Sequence, residues 1–197
     1  MASERIGEIA RKTTETDIRL RLNLDGSGQH RVDTGVPFLD HMLAHVALHA
    51  PLDLELSCRG DTQIDDHHSV EDVGIVLGQA LREALGDKAG IARYGERTLP
   101  MDEALALVAL DFSGRPYLAY DVNLPAGKVG AFDTELVAEF FRAVATHAGM
   151  TLHVRLLAGV NAHHIIEAIF KAFGRALGEA VRLDARRGGV PSTKGVL

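Results

Sequence analysis

One short word occurs twice in this chain, and no other feature constrains the fold as much. Asp66-His67-His68-Ser69-Val70-Glu71-Asp72 is answered by Asn161-Ala162-His163-His164-Ile165-Ile166-Glu167, each a His-His pair with a Glu three residues after the second His. The repetition extends beyond the histidines. Leu24-Asp25-Gly26-Ser27-Gly28 matches Leu110-Asp111-Phe112-Ser113-Gly114, and Asp33-Thr34 matches Asp133-Thr134. The displacements are 96 (67 to 163), 86 (24 to 110) and 100 (33 to 133), the drift that loop insertions produce. Internal duplication predicts two halves built on the same supersecondary unit.

Each half follows one order of elements. Ile18, Leu20, Leu22 and Leu24 alternate with Arg19, Arg21 and Asn23, the period of a half-buried strand, which Asp-Gly-Ser-Gly then turns. A hairpin through His30-Arg31-Val32 is expected next. Helical spacing follows over Phe38 to Ala50 and again over Leu136 to Ala148, where Thr134 is placed to cap the helix. Strands are expected at Leu52 to Cys58 and Thr151 to Leu157, and closing helices from about Ser69 to Leu85 and Ile165 to Val181. The pattern predicts an α+β fold of duplicated half-domains, each a sheet with its helices on one face, the helices packed between the two sheets. Gly86-Asp87-Lys88-Ala89-Gly90 is the expected joint. A single domain over 1–197 results, with repeats at about 3–89 and 90–187 and a tail at 188–197.

The repeated word has a chemical meaning if it opens a helix. With about 100° of turn per residue, the first His and the Glu share a face while the second His points elsewhere. Each word then offers a His/Glu claw and one separate imidazole. Two copies facing each other would hold one metal between His67/Glu71 and His163/Glu167, and a second between His68 and His164. Aligning the strands of the two halves sets His41 opposite Glu139 on equivalent helices, and both are candidate ligands of the second metal. Mixed imidazole and carboxylate donors suit zinc, manganese or iron.

Composition narrows the partners. A formal net charge of -6 argues against a general nucleic-acid or anionic-membrane surface, so any phosphate recognition must be local. The single cysteine, Cys58, excludes an internal disulfide and a thiolate-rich zinc site, and its strand setting argues against a nucleophile. With a mean hydropathy of +0.04 and no signal-peptide core, the expected setting is cytoplasmic.

Longer motifs carry a resemblance. In Pro37-Phe38-Leu39-Asp40-His41-Met42-Leu43, both His-His words, Leu110-Asp111 with Ser113-Gly114-Arg115-Pro116, and Pro191-Ser192-Thr193-Lys194-Gly195, the chain closely resembles the imidazoleglycerol-phosphate dehydratases from about Arg5 to Leu197. The resemblance implies a hydro-lyase of histidine biosynthesis that converts imidazole glycerol phosphate to imidazole acetol phosphate with two Mn2+ per active site, through a metal-bound imidazolate and a diazafulvene. It also implies two four-stranded sheets with two helices each, of the ribosomal protein S5 domain 2-like kind, and a homo-oligomer of 24 chains with sites at subunit contacts.

The same resemblance assigns roles. One metal site maps onto His67, Glu71, His163 and Glu167, the other onto His41, His68, His164 and Glu139, a position where relatives often carry His. His45 departs from the Gln of many relatives and receives no ligand role. Glu15, in Arg11-Lys12-Thr13-Thr14-Glu15-Thr16, is the expected acid/base and also contacts substrate. His49, Arg93, Arg115, Ser192, Thr193 and Lys194 match substrate and phosphate positions. Lys171, eight residues after His163 and roughly 12 Å along the helix, is expected to link the metal end to the phosphate end. Arg186-Arg187-Gly188-Gly189 leads into a tail expected to stay mobile until phosphate arrives. A di-metal hydrolase and a metal-binding structural shell remain as alternative readings of the ligand set.

Overall fold

The computed structural model describes residues 4–125, 127–186 and 188–197. Arg187 of the basic tail, and the first repeat's expected start at residue 3, lie outside the described residues. Two four-stranded sheets have the same plan. The first runs β1 (Ile6–Lys12), β2 (Thr16–Asn23), β4 (Asp53–Gly60), β3 (His30–Asp33), and the second β5 (Tyr94–Met101), β6 (Ala104–Asp111), β10 (Thr151–Ala158), β7 (Tyr117–Asp121). In each, one helix crosses over between the two parallel strands: α1 (Pro37–His49) between β3 and β4, and α3 (Leu136–Ala148) between β7 and β10. The closing helices are α2 (His67–Leu85) and α4 (Ala162–Val181). A small hairpin, β8 (Lys128–Val129) and β9 (Phe132–Asp133), precedes α3.

The helices lie between the sheets and pair across the duplication. α2 packs on β1 and β2 and against α3, while α4 packs on β5 and β6 and against α1. The alternation in the sequence explains this layering. Ile18, Leu20 and Leu22 of β2, and Ala106, Val108 and Leu110 of β6, are buried beneath the helices. The rings of Phe140, Phe141, Phe170 and Phe173 fill the interior, with Phe141 and Phe170 centroids 4.9 Å apart. Cys58 is buried on β4, and burial pushes its thiol up to about 11, consistent with an inert core residue. No helix among the described residues is long and apolar enough to cross a membrane.

Two expectations are corrected. The segment after the Asp-Gly-Ser-Gly turn is not the return arm of a hairpin: β3 pairs with β4 in parallel, His30 opposite Leu54, because α1 carries the chain back over the sheet. Thr134 does not cap α3. Its hydroxyl donates to the carbonyls of Pro125 and Gly127 at 3.2 and 3.1 Å, tying the loop before the helix instead.

The outer strands β1 and β5 were not apparent from hydropathy. Their only fully buried residues are Gly7 and Gly95. A Cβ at either would collide with a helix carbonyl, that of Ala80 on α2 or of Ala176 on α4. These carbonyls stand at equivalent places in the two halves, so glycine lets strand backbone rest directly on helix backbone.

Candidate metal centre

Both repeated words stand at helix starts, and a side-chain cap opens the second. Asn161 Oδ1 accepts from the backbone N–H groups of His163 and His164 at 2.9 and 3.3 Å, so α4 opens at the second word. Asp65 Oδ1 accepts from His67 N at 2.9 Å at the start of α2. The claws form as their spacing predicts: His163 Nε2 lies 3.1 Å from Glu167 Oε2, and His67 Nε2 lies 3.7 Å from Glu71 Oε2.

The two claws do not meet within the chain. α2 pairs with α3 and α4 with α1, and among the described residues no hydrogen bond or ion pair joins the first word to the second. What meets the α4 claw is α1. His41 and His45, one turn apart, approach Glu167 at 3.6 and 3.5 Å, and their Nε2 atoms are 3.2 Å apart. His41, His45 and Glu167 bring one donor atom each within 4.8 Å of one another, a set that could hold a cation. That nitrogen/oxygen set, free of thiolate, fits a first-row divalent ion. His45 was given no ligand role from sequence. Its spacing of four residues from His41 was the signal.

Neighbouring groups set the charge state of this cluster. Burial alone pushes the Glu167 carboxyl up, but hydrogen bonds from Lys171 and His163 outweigh it and hold the carboxyl at about 2. Burial drives His45 down to about 4, so its imidazole stays neutral and able to donate a lone pair.

The second histidines sit differently. His68 Nδ1 lies 3.0 Å from Asp61 Oδ2, and His164 Nδ1 lies 2.7 Å from Glu103 Oε2. These carboxylates, missed in the sequence because they lie outside the words, raise both imidazoles above the usual histidine value. Glu139, in the first turn of α3, has its carboxylate 3.3 Å from Arg142 Nε.

Glu15 lies at the tip of the β1–β2 turn, where Thr13 Oγ1 accepts from the backbone N–H groups of Glu15 and Thr16 at 3.1 and 2.9 Å. The Thr16 hydroxyl donates to buried Asp72 of α2, which also pairs with Arg11 at 3.1 Å. Asp72 thus fastens the turn beside the first word, a role hidden in the sequence.

The expected phosphate residues gather in an open cleft of about 870 Å³ lined by Arg93, Ser113, Arg115, Ser192, Thr193 and Lys194. Arg93 anchors it, donating to Asp111 at 2.6 Å and to the Pro191 carbonyl at 2.8 Å. Lys171 is not among these residues. Its ammonium lies 2.6 Å from Glu167, in the His41, His45 and Glu167 cluster. His49 lines a separate cleft with Arg97 and Arg175.

Sequence comparison matches the imidazoleglycerol-phosphate dehydratase family model over residues 34–177. Among curated relatives, the imidazoleglycerol-phosphate dehydratase of Desulforamulus reducens is 62% identical, covering 98% of both chains, and that of Moorella thermoacetica 60% identical, covering 96% of both. The chain belongs to the imidazoleglycerol-phosphate dehydratase family. A solved family structure from Staphylococcus aureus superposes with a TM-score of 0.83 at 47% identity, covering 91% of this chain and 99% of that one. The structure of the enzyme from Pyrococcus furiosus in complex with (S)-C348 also gives 0.83, at 39% identity, covering 96% and 100%. Every expected metal ligand lies inside the matched family span, whereas Glu15 and Ser192 to Lys194 flank it.

Proposed function

We propose that this chain dehydrates imidazole glycerol phosphate to imidazole acetol phosphate in histidine biosynthesis, as a hydro-lyase working in the cytoplasm. The observation that carries the reading is the His41, His45, His163 and Glu167 cluster, set in a chain of this family. The single buried cysteine suits a reducing compartment.

Two Mn2+ ions are proposed per site. His67, Glu71, His163 and Glu167 would hold one, and His41, His68, His164 and Glu139 the other, with His45 adjoining the His41 and Glu167 donors. When bound, the ions supply Lewis acidity that makes protons of the coordinated imidazole substrate easier to lose. Glu15 carries the proton transferred at the carbon chain. Arg93, Arg115, Ser192, Thr193 and Lys194 hold the phosphate, with segment 188–197 as the substrate-binding tail. His49 and Lys171 complete the substrate side, Lys171 from beside Glu167.

Ligands are proposed to come from neighbouring chains of a 24-subunit homo-oligomer. The separation of the two claws onto different helix pairs supports this. So do Ile64 and Val160, exposed at 69% and 79%, each three residues before its His-His pair. Apolar side chains repeated at both words suit contacts between copies.

The test is direct. Tag-free protein is stripped of metal, assayed for release of imidazole acetol phosphate, then reloaded. Activity should vanish on stripping and return with Mn2+ at roughly two ions per chain; turnover by the fully stripped protein would refute the reading.

A further inference from the structure

Asp61 and Glu103 belong to neither repeated word, yet each meets the second histidine of one. Asp61 follows β4 and places both oxygens on His68 Nδ1, at 3.0 and 3.2 Å. Glu103 lies in the turn between β5 and β6. Its Oε2 is 2.7 Å from His164 Nδ1, while Oε1 accepts from the backbone N–H groups of Asn161 and Val160 at 2.8 and 3.3 Å. The two carboxylates come from unrelated places in their halves, a strand end and a hairpin turn, and reach the same ring atom of equivalent histidines.

We propose that Asp61 and Glu103 are positioning residues that fix His68 and His164 for cation binding; this rests on the metal reading above. An imidazole whose Nδ1–H is donated to a carboxylate is locked in one tautomer, with the Nε2 lone pair free. The ring is held in orientation and its remaining nitrogen becomes a stronger donor. In both cases Nε2 faces further carboxylate: Glu15 Oε1 at 3.8 Å from His68, and Asp102 Oδ2 at 3.7 Å from His164. Asp65 adds negative charge around His68, and Glu167 around His164. A ring steered by one carboxylate toward a second acidic group presents its lone pair where a cation gathers additional donors. Glu103 does more, since the same carboxylate holds the backbone that leads into α4 and so couples the claw's helix to the ring it orients.

The experiment is a Mn2+ titration of the assembled protein followed by electron paramagnetic resonance, for wild type, Asp61→Asn, Asp61→Ala and Glu103→Gln. Each amide keeps one acceptor oxygen but loses the charge, and in Glu103→Gln that single oxygen serves either His164 Nδ1–H or the backbone N–H groups of Val160 and Asn161, not both. Affinity should fall about 10–100-fold in Asp61→Ala, with smaller losses in the two amide variants. Thermal unfolding of the metal-free proteins shows whether each remains folded. Folded variants that bind Mn2+ as tightly as wild type overturn the inference alone. Failure of wild type to bind Mn2+ overturns the metal reading itself, and the inference with it.

Discussion

Glu15 Oε1 stands 3.8 Å from Nε2 of His68, so the proposed acid/base and a proposed metal ligand share one corner of the chain. The contact depends on Asp72, which receives the Thr16 hydroxyl and the Arg11 guanidinium and fixes the turn against α2. A base held beside a ligand is positioned for a proton on the bound substrate. Glu15→Gln preserves size and hydrogen bonding but removes the basic oxygen. It should retain Mn2+ and substrate binding while turnover falls about 10²-fold or more. Single-turnover and equilibrium binding measurements separate the two effects, and near-normal turnover would remove Glu15 from the mechanism.

Acid should weaken the proposed metal ligands unequally. The hydrogen-bonded carboxylates of Asp61 and Glu103 hold His68 and His164 above the ordinary 6.5, so these rings gain protons before His45 as pH falls. Burial holds His45 at about 4, so it remains a neutral donor through the same range. A protonated imidazole must lose its proton before it binds metal, and affinity therefore falls with pH. Mn2+ titration between about pH 8 and about pH 5 should show early loss of sites containing His68 or His164. His45→Gln should leave that early loss in place; its disappearance in that variant would reverse the assignment.

Hydropathy made β2, β4, β10 and all four helices readable because their buried positions carry apolar side chains. It failed on β1 and β5, where the one fully buried residue is glycine and full burial leaves no hydrophobic signature. The two His/Glu claws were readable as well, since partners four residues apart on a helix must share a face. Long-range partners were not. Asp61, Asp72 and Glu103 reach their histidine or turn only after β4, α2 and the β5–β6 turn are folded, and no local pattern marks them. The direction of Lys171 escaped for a related reason: rise along a helix gives its distance from His163, whereas the neighbouring Glu167 determines where the ammonium settles.

Close backbone packing gives a stability prediction. Gly95 of β5 rests on the Ala176 carbonyl of α4, and an added methyl would have to displace backbone on one side. Gly95→Ala should destabilise the fold by about 1–3 kcal/mol, the usual range for overpacking. Guanidinium unfolding of metal-free protein measures the loss. Wild-type stability in this variant would mean that the strand and helix are free to separate at this point.

The tail is anchored by the same arginine that lines the proposed phosphate cleft. Arg93 grips Asp111 with Nε and Nη2 and donates from Nη1 to the Pro191 carbonyl, bringing Ser192, Thr193 and Lys194 to the cleft beside Arg115. A truncation after Gly189 removes the Pro191 acceptor and three of the proposed phosphate contacts together. Binding energy from a remote phosphate supports both affinity and orientation at the reacting carbons, so KM should rise at least about tenfold and kcat should fall with it. The dephosphorylated substrate, imidazole glycerol, should react slowly and equally with both forms, because it has nothing for the tail to grasp. Unchanged kinetics with the phosphorylated substrate would exclude the tail from recognition.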